Sequence, residues 1–127
     1  MHSIKYKSWH KSKKKVSKAL SLPNGLKNGT IILPFTSLKD KNGKEIYEYD
    51  IVKISNDLGS VKAGYYIVAL HQGCFKITKD SHLNYMDHYL WFVANDCEVV
   101  ASFLEYKDNW MKLQVKSDLS RPSKLSL

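Results

Sequence analysis

The stretch Asp40-Lys41-Asn42-Gly43 constrains this chain more than any other. Asn-Gly readily takes positive φ at both central turn positions, so it specifies a tight reversal between two extended arms. One arm, Thr30 to Phe35, is a short apolar strand. Pro34 lacks an amide hydrogen, which predicts an edge or a strand end there. The other arm, Glu45 to Ile54, is rich in β-branched and aromatic residues. The same punctuation recurs along the chain. Ile4 to Trp9 alternates apolar and polar residues and runs into a lysine cluster, as a first strand entering a charged turn would. Ser21 to Gly25, Lys27-Asn28-Gly29 and Asn56 to Gly59 are turn signals. Gly64 to Leu70 and Cys74 to Thr78 read as a hairpin around the three-residue loop His71-Gln72-Gly73. Ser81 is placed to cap a short helix over 81–90, with Leu83, Met86 and Leu90 apolar at i, i+3 and i+7. Trp91 to Val93 and Glu98 to Glu105 read as final strands. Turn signals about every 8–12 residues predict a mainly β fold, a small barrel or sandwich of short antiparallel strands.

At 127 residues the chain has room for one domain with a modest core. Hydrophobic residues at 43% exclude a wholly disordered chain. The formal charge of +8 is unevenly placed. Residues 1–18 hold seven lysines and no acid, and residues 107–127 carry a net +3, so the middle is slightly acidic. A near-neutral globule with two basic ends is steered toward acidic surfaces of nucleic acid or protein. The expected organisation is a β domain over 1–106, with a basic strand and turn at 1–18, and a basic C-terminal extension over 107–127. No apolar run approaches the roughly 18 residues of a membrane span, and no apolar stretch follows the basic N-terminus as a secretory signal requires. Two cysteines, Cys74 and Cys97, do not make a disulfide framework, which predicts reduced thiols in the cytosol.

The block Leu33-Pro-Phe-Thr-Ser-Leu-Lys-Asp-Lys-Asn-Gly-Lys-Glu-Ile-Tyr-Glu-Tyr-Asp-Ile-Val-Lys-Ile54 resembles the signature of YopX-like phage and prophage proteins. That signature reads approximately Thr-Gly-Leu-Lys-Asp-Lys-Asn-Gly-Lys-Glu-Ile-Tyr-Glu-Gly-Asp-Ile-Val. Ile4 to Trp9 and Glu98 to Glu105 are similar to the family's opening and closing blocks. The resemblance implies a compact β protein in the cytoplasm of a bacterial host, with no enzymatic activity and no established ligand. Three of the family's usual glycines are replaced here, by Ser37, Tyr49 and Ala101. A glycine serves a turn or a close backbone approach, so local geometry is expected to differ at these positions. Tyr49, beside Glu48 and Asp50, reads as a surface reworked for a new contact, and Trp110 in the added tail as a partner-binding element.

Phosphate-binding Gly-rich loops, nucleophile elbows and His-Glu-x-x-His helices are all absent from the sequence, which predicts a non-enzyme. Glu45, Glu48 and Asp50 read as surface charges flanking buried Ile46, Ile51 and Val52. No cofactor is expected. Zinc is the one candidate, from His71 and Cys74 on a tight turn with His82, His88 and Cys97 following, although the second half-site lacks compact spacing. Lys11, Lys13, Lys14, Lys15 and Lys18 beside Tyr6 and Trp9, with Lys112, Lys116, Arg121 and Lys124 in the tail, could neutralise phosphates while the rings stack on bases. Nearly all the basic residues are lysine, which favours non-specific contact over base reading. The leading expectation is a phage-encoded binding protein that modulates or inhibits a host protein or nucleoprotein machine, of the anti-defence and anti-CRISPR type. The expected contacts are Lys11, Lys13, Lys14, Lys15, Tyr49, Trp110, Lys112 and Lys116. Direct, non-specific binding of DNA or RNA is the alternative.

Overall fold

The computed structural model describes residues 5–11, 14–19 and 30–119, without the side chains of 18, 19 and 115–119. The described residues form nine strands in two antiparallel sheets, with short helical segments after the eighth and ninth strands. The strands are β1 (Tyr6–His10), β2 (Lys15–Ala19), β3 (Thr30–Lys39), β4 (Glu45–Tyr47), β5 (Asp50–Ile54), β6 (Gly64–His71), β7 (Cys74–Thr78), β8 (His88–Tyr89) and β9 (Cys97–Ser102). One sheet has the order β2-β1-β3-β4 and the other β8-β7-β6-β5-β9. A helical turn α1 (Leu90–Val93) follows β8, α2 (Phe103–Tyr106) follows β9, and α3 (Trp110–Leu119) closes the described chain. The turn signals at 21–29 lie outside the described residues.

The Asn-Gly turn joins β3 to β4, with Gly43 at φ 81°. Asp40 makes it a junction. One carboxylate oxygen accepts the N–H groups of Asn42 and Lys44 at 2.8 and 2.9 Å, and the other accepts that of Val99 on β9 at 2.8 Å. Burial acts to raise the Asp40 pKa, but these three N–H donors hold it below the ordinary value.

Pro34 is not at an edge, because β3 runs between β1 and β4. It sits opposite Tyr6 in a pair flanked by the Phe35 N–H to Lys5 carbonyl bond, so β1 asks nothing of its missing amide. Pairing with β4 starts one residue later, at Phe35 opposite Tyr47. Between Phe35 and Lys39 the register shifts. There the Thr36 hydroxyl donates to the Ile46 carbonyl at 2.7 Å and accepts the Leu38 N–H at 3.2 Å, while Ser37 takes φ 71°.

Glu45 to Ile54 is broken into two strands by Tyr49 at φ 66°. The break turns Asp50 inward, where it is 2% exposed and accepts the Tyr47 N–H at 2.8 Å. Asp50 is therefore no surface charge. Two of the three glycine replacements thus occupy left-handed backbone. The third, Ala101, lies beside the β5–β9 register shift, where it faces Ile51 while Val99 faces Val52.

The β6–β7 loop has two residues rather than three. Gln72 and Gly73 take φ 54° and 76°, the signs of a type I′ turn, and His71 pairs with Cys74 as the last rung. No helix forms over 81–90. The Thr78 hydroxyl bonds the Tyr85 carbonyl, the Asp80 carboxylate accepts the His82 and Asn84 N–H groups, and Leu83 takes φ 57°. These side chains offer the backbone a competing set of partners. The helix starts at Leu90 instead, so Trp91 to Val93 is helical rather than extended, and β9 ends at Ser102.

Both faces of the five-stranded sheet are buried. Val52, Ile54, Tyr66, Val68 and Ile77 pack on one face with Ile46, Leu90, Val93 and Cys97. On the other, Ile51 and Ile67 pack with Phe103 and Trp110. Trp110 is 2% exposed, stands edge-on to Phe103 at 5.7 Å and donates its indole N–H to the Lys79 carbonyl. Gln114 bonds the Tyr65 carbonyl at 3.0 Å. The start of the expected extension is thus part of the core.

Candidate functional site

Tyr89-Leu-Trp-Phe-Val93 places five large apolar or aromatic residues in a row, more than one helical turn can bury. Leu90 and Val93, three apart, take the inward face and are fully buried. Trp91 and Phe92 are forced outward, at 61% and 44% exposed, beside Tyr89 at 43%. With His88 they close a circuit of ring contacts. Phe92 stacks on His88 at 4.4 Å and 27°, and Tyr89 stacks on Trp91 at 6.0 Å and 23°. Edge-on contacts of 5.9 Å (His88 to Tyr89) and 6.1 Å (Trp91 to Phe92) complete it. The Lys76 ammonium lies 5.3 Å from the Tyr89 ring centre, a cation–π contact from the neighbouring strand.

This aromatic quartet sits on the edge strand β8 and the turn after it. Its rings brace one another and so lose little freedom when covered, and large aromatics are the side chains that dominate binding energy at interfaces. The row from Tyr89 to Val93 is its signal in the sequence, but reading Trp91 to Val93 as a strand assigned alternate residues to the core.

The expected contact residues are dispersed. Lys11, Lys14 and Lys15 are exposed around the β1–β2 turn, and Lys112 is exposed on α3. Lys13 lies outside the described residues, and the Lys116 side chain is not described. Trp110 is core, as above. Tyr49 is half-buried against the cluster of Ile51, Ile67, Phe103 and Trp110, so it packs inward rather than presenting a new surface. Tyr6 and Trp9 are also buried, which removes the rings that were to stack on bases.

The five zinc candidates are not gathered either. Cys97 is fully buried, its thiol donates to the Ala94 carbonyl, and burial pushes its pKa up to about 12. His88 is committed to Phe92, and its Nδ1 accepts the Tyr89 N–H. His71 Nδ1 lies 3.2 Å from the Lys76 ammonium, and His82 is exposed in the loop. Among the described residues no three His, Cys, Asp or Glu side chains are grouped to hold a metal ion. The described helices include none long and apolar enough to cross a membrane.

A family model described as YopX protein matches residues 2–106. This chain belongs to the YopX family. Protein EF1440 from Enterococcus faecalis, known from a crystal structure, is similar in fold, with a TM-score of 0.56. The similarity covers 84% of this chain and 97% of that one, and at 16% identity it shows the fold alone. No curated protein matches. The YopX match stops at Tyr106, just before the segment that brings Trp110 into the core.

Proposed function

We propose that this YopX-family chain is a phage- or prophage-encoded binding protein without catalytic activity. It acts in the host cytoplasm by occupying a host protein or nucleoprotein machine, with defence complexes of the CRISPR type among its targets. The observation that supports binding is the exposed quartet of His88, Tyr89, Trp91 and Phe92. Folding has already buried Leu90 and Val93, so the quartet is not needed for the core and is free to be covered by a partner. The reading requires neither zinc nor another cofactor. Direct nucleic-acid binding is the second reading, supported by exposed Lys11, Lys14 and Lys15 at one turn.

Parallel affinity capture from host lysate tests the proposal, using the wild type and the Trp91→Ala/Phe92→Ala double variant. A host protein retained by the wild type and lost by the folded double variant is the expected result. Retention of nucleic acid that falls steeply with salt and ignores the double substitution would favour the second reading instead.

A further inference from the structure

Where β1 and β2 approach β5 and β9, they leave a cavity of about 310 Å³ lined by Lys7, Lys44, Asp50, Val99, Ser102 and Glu105, among others. Opposite charges line this space without forming a direct ion pair among the described side chains. Asp50 and Ser102 face each other across the β5–β9 ladder. Asp50 is almost fully buried, yet among the described side chains no ammonium stands within ion-pair distance of it. Ser102 is 7% exposed and its hydroxyl has no hydrogen-bond partner among the described residues. Lys7 and Lys44 are near enough to pull the Asp50 pKa down, but burial wins and raises it to about 6. The Lys7 ammonium rests instead over the Tyr47 ring, 4.6 Å from its centre. Glu105 is engaged by the Val16 N–H at 2.8 Å, which ties β2 to α2 across the cavity.

A buried carboxylate with lysines nearby but no direct ion pair among the described side chains, and an unpartnered hydroxyl beside it, can take a hydrogen-bonding cation. Lys7, half-buried, and Lys44, exposed, line the same space with no carboxylate partner among the described side chains, so an anion can be held between them. We propose that this cavity binds a small zwitterion, its ammonium on Asp50 and Ser102 and its carboxylate between Lys7 and Lys44. The site is separate from the aromatic quartet and goes beyond the proposed binding of a host machine.

The test is a titration of the isotope-labelled full chain with 5-aminopentanoate, followed by amide NMR shifts. Pentylamine and pentanoate each lack one of the two charges and serve as the comparison probes. Saturable shifts confined to Lys7, Lys44, Asp50, Ser102 and their neighbours are expected, with affinity about tenfold or more above either single-charge probe. Asp50→Asn can keep the Tyr47 N–H bond through its amide oxygen and so should retain the fold, which its own spectrum checks. It should weaken 5-aminopentanoate about tenfold or more without weakening pentanoate, and Trp91→Ala should change neither. No saturable shift up to about 50 mM, far weaker than a millimolar site, would overturn the proposal. So would equal affinity of Asp50→Asn and wild type, or pentylamine binding as well as the zwitterion.

Discussion

In Asp50→Asn the carboxylate is exchanged for an amide of nearly the same shape, whose oxygen can still accept the Tyr47 N–H. What changes is the charge. Burial raises the Asp50 pKa from 3.8 to about 6, against the pull of the Tyr47 N–H and of Lys7 and Lys44. The folded state therefore holds this proton more tightly than the unfolded chain does. Below pH ~4 the group is protonated in both states and costs nothing. As pH rises from about 4 through about 6, the unfolded chain gives up its proton first and the native state loses ground. Two pH units at about 1.4 kcal/mol each make the full cost about 3 kcal/mol at pH 8. Asp50→Asn should then be more stable than wild type by about 2–3 kcal/mol at pH 8, with the gap closing toward pH 4. Urea unfolding of both proteins between pH 4 and 8 measures this, provided the urea dependence of the two stays equal. The difference curve cancels groups that do not interact with Asp50; Asp40, whose charge helps to raise the Asp50 pKa, is coupled to it, and its own lowered pKa gives the opposite slope in acid. A variant less stable than wild type at pH 8, with a parallel pH profile, would show that the carboxylate is compensated and refute the reasoning.

Trp110→Ala should cost about 3–5 kcal/mol in urea unfolding, because it empties a core position beneath α3; a loss under about 1 kcal/mol would place α3 off the core. Ser37→Gly relieves a left-handed residue costing about 1–2 kcal/mol, less about 0.5–1 for glycine's added freedom when unfolded. A net gain of about 0.5–1 kcal/mol in the same assay is expected, and a loss would mean the Ser37 side chain contributes contacts that outweigh the strain. Cys97, buried and held protonated with its pKa near 12, should react with a thiol reagent only on unfolding, whereas half-exposed Cys74 should react in the native protein. Equal native rates for the two would contradict the burial of β9.

The β class, most strand positions and the family were legible because turn chemistry is local. Gly43 and Gly73 take the left-handed backbone that glycine allows and so reverse the chain locally, although Asn42, unlike Gln72, does not share the positive φ. What escaped depends on positions where the backbone departs from its period. Alternation along Glu45 to Ile54 put Asp50 on the surface, but Tyr49 in the left-handed region restarts the strand and turns Asp50 inward. The helix over 81–90 satisfied an apolar spacing, yet Thr78 and Asp80 capture the backbone before it can begin. Trp110 read as a partner contact from its basic surroundings, and only its packing against Phe103, at the start of α2, places it in the core. The quartet was in plain view as a row of rings, but its exposure follows from Leu90 and Val93 both facing inward, which requires a helical turn there.

The most direct test is the affinity of the folded Trp91→Ala/Phe92→Ala variant for the host protein that wild type captures, measured by calorimetry beside the wild type. The account predicts a loss of about 30-fold or more, since two exposed aromatic anchors are together worth roughly 2 kcal/mol or more at the centre of an interface. Stability should change little, because neither ring is part of the core. Unchanged affinity, in a variant as stable as the wild type, would contradict the claim that this chain binds its partner through the rings on β8 and α1.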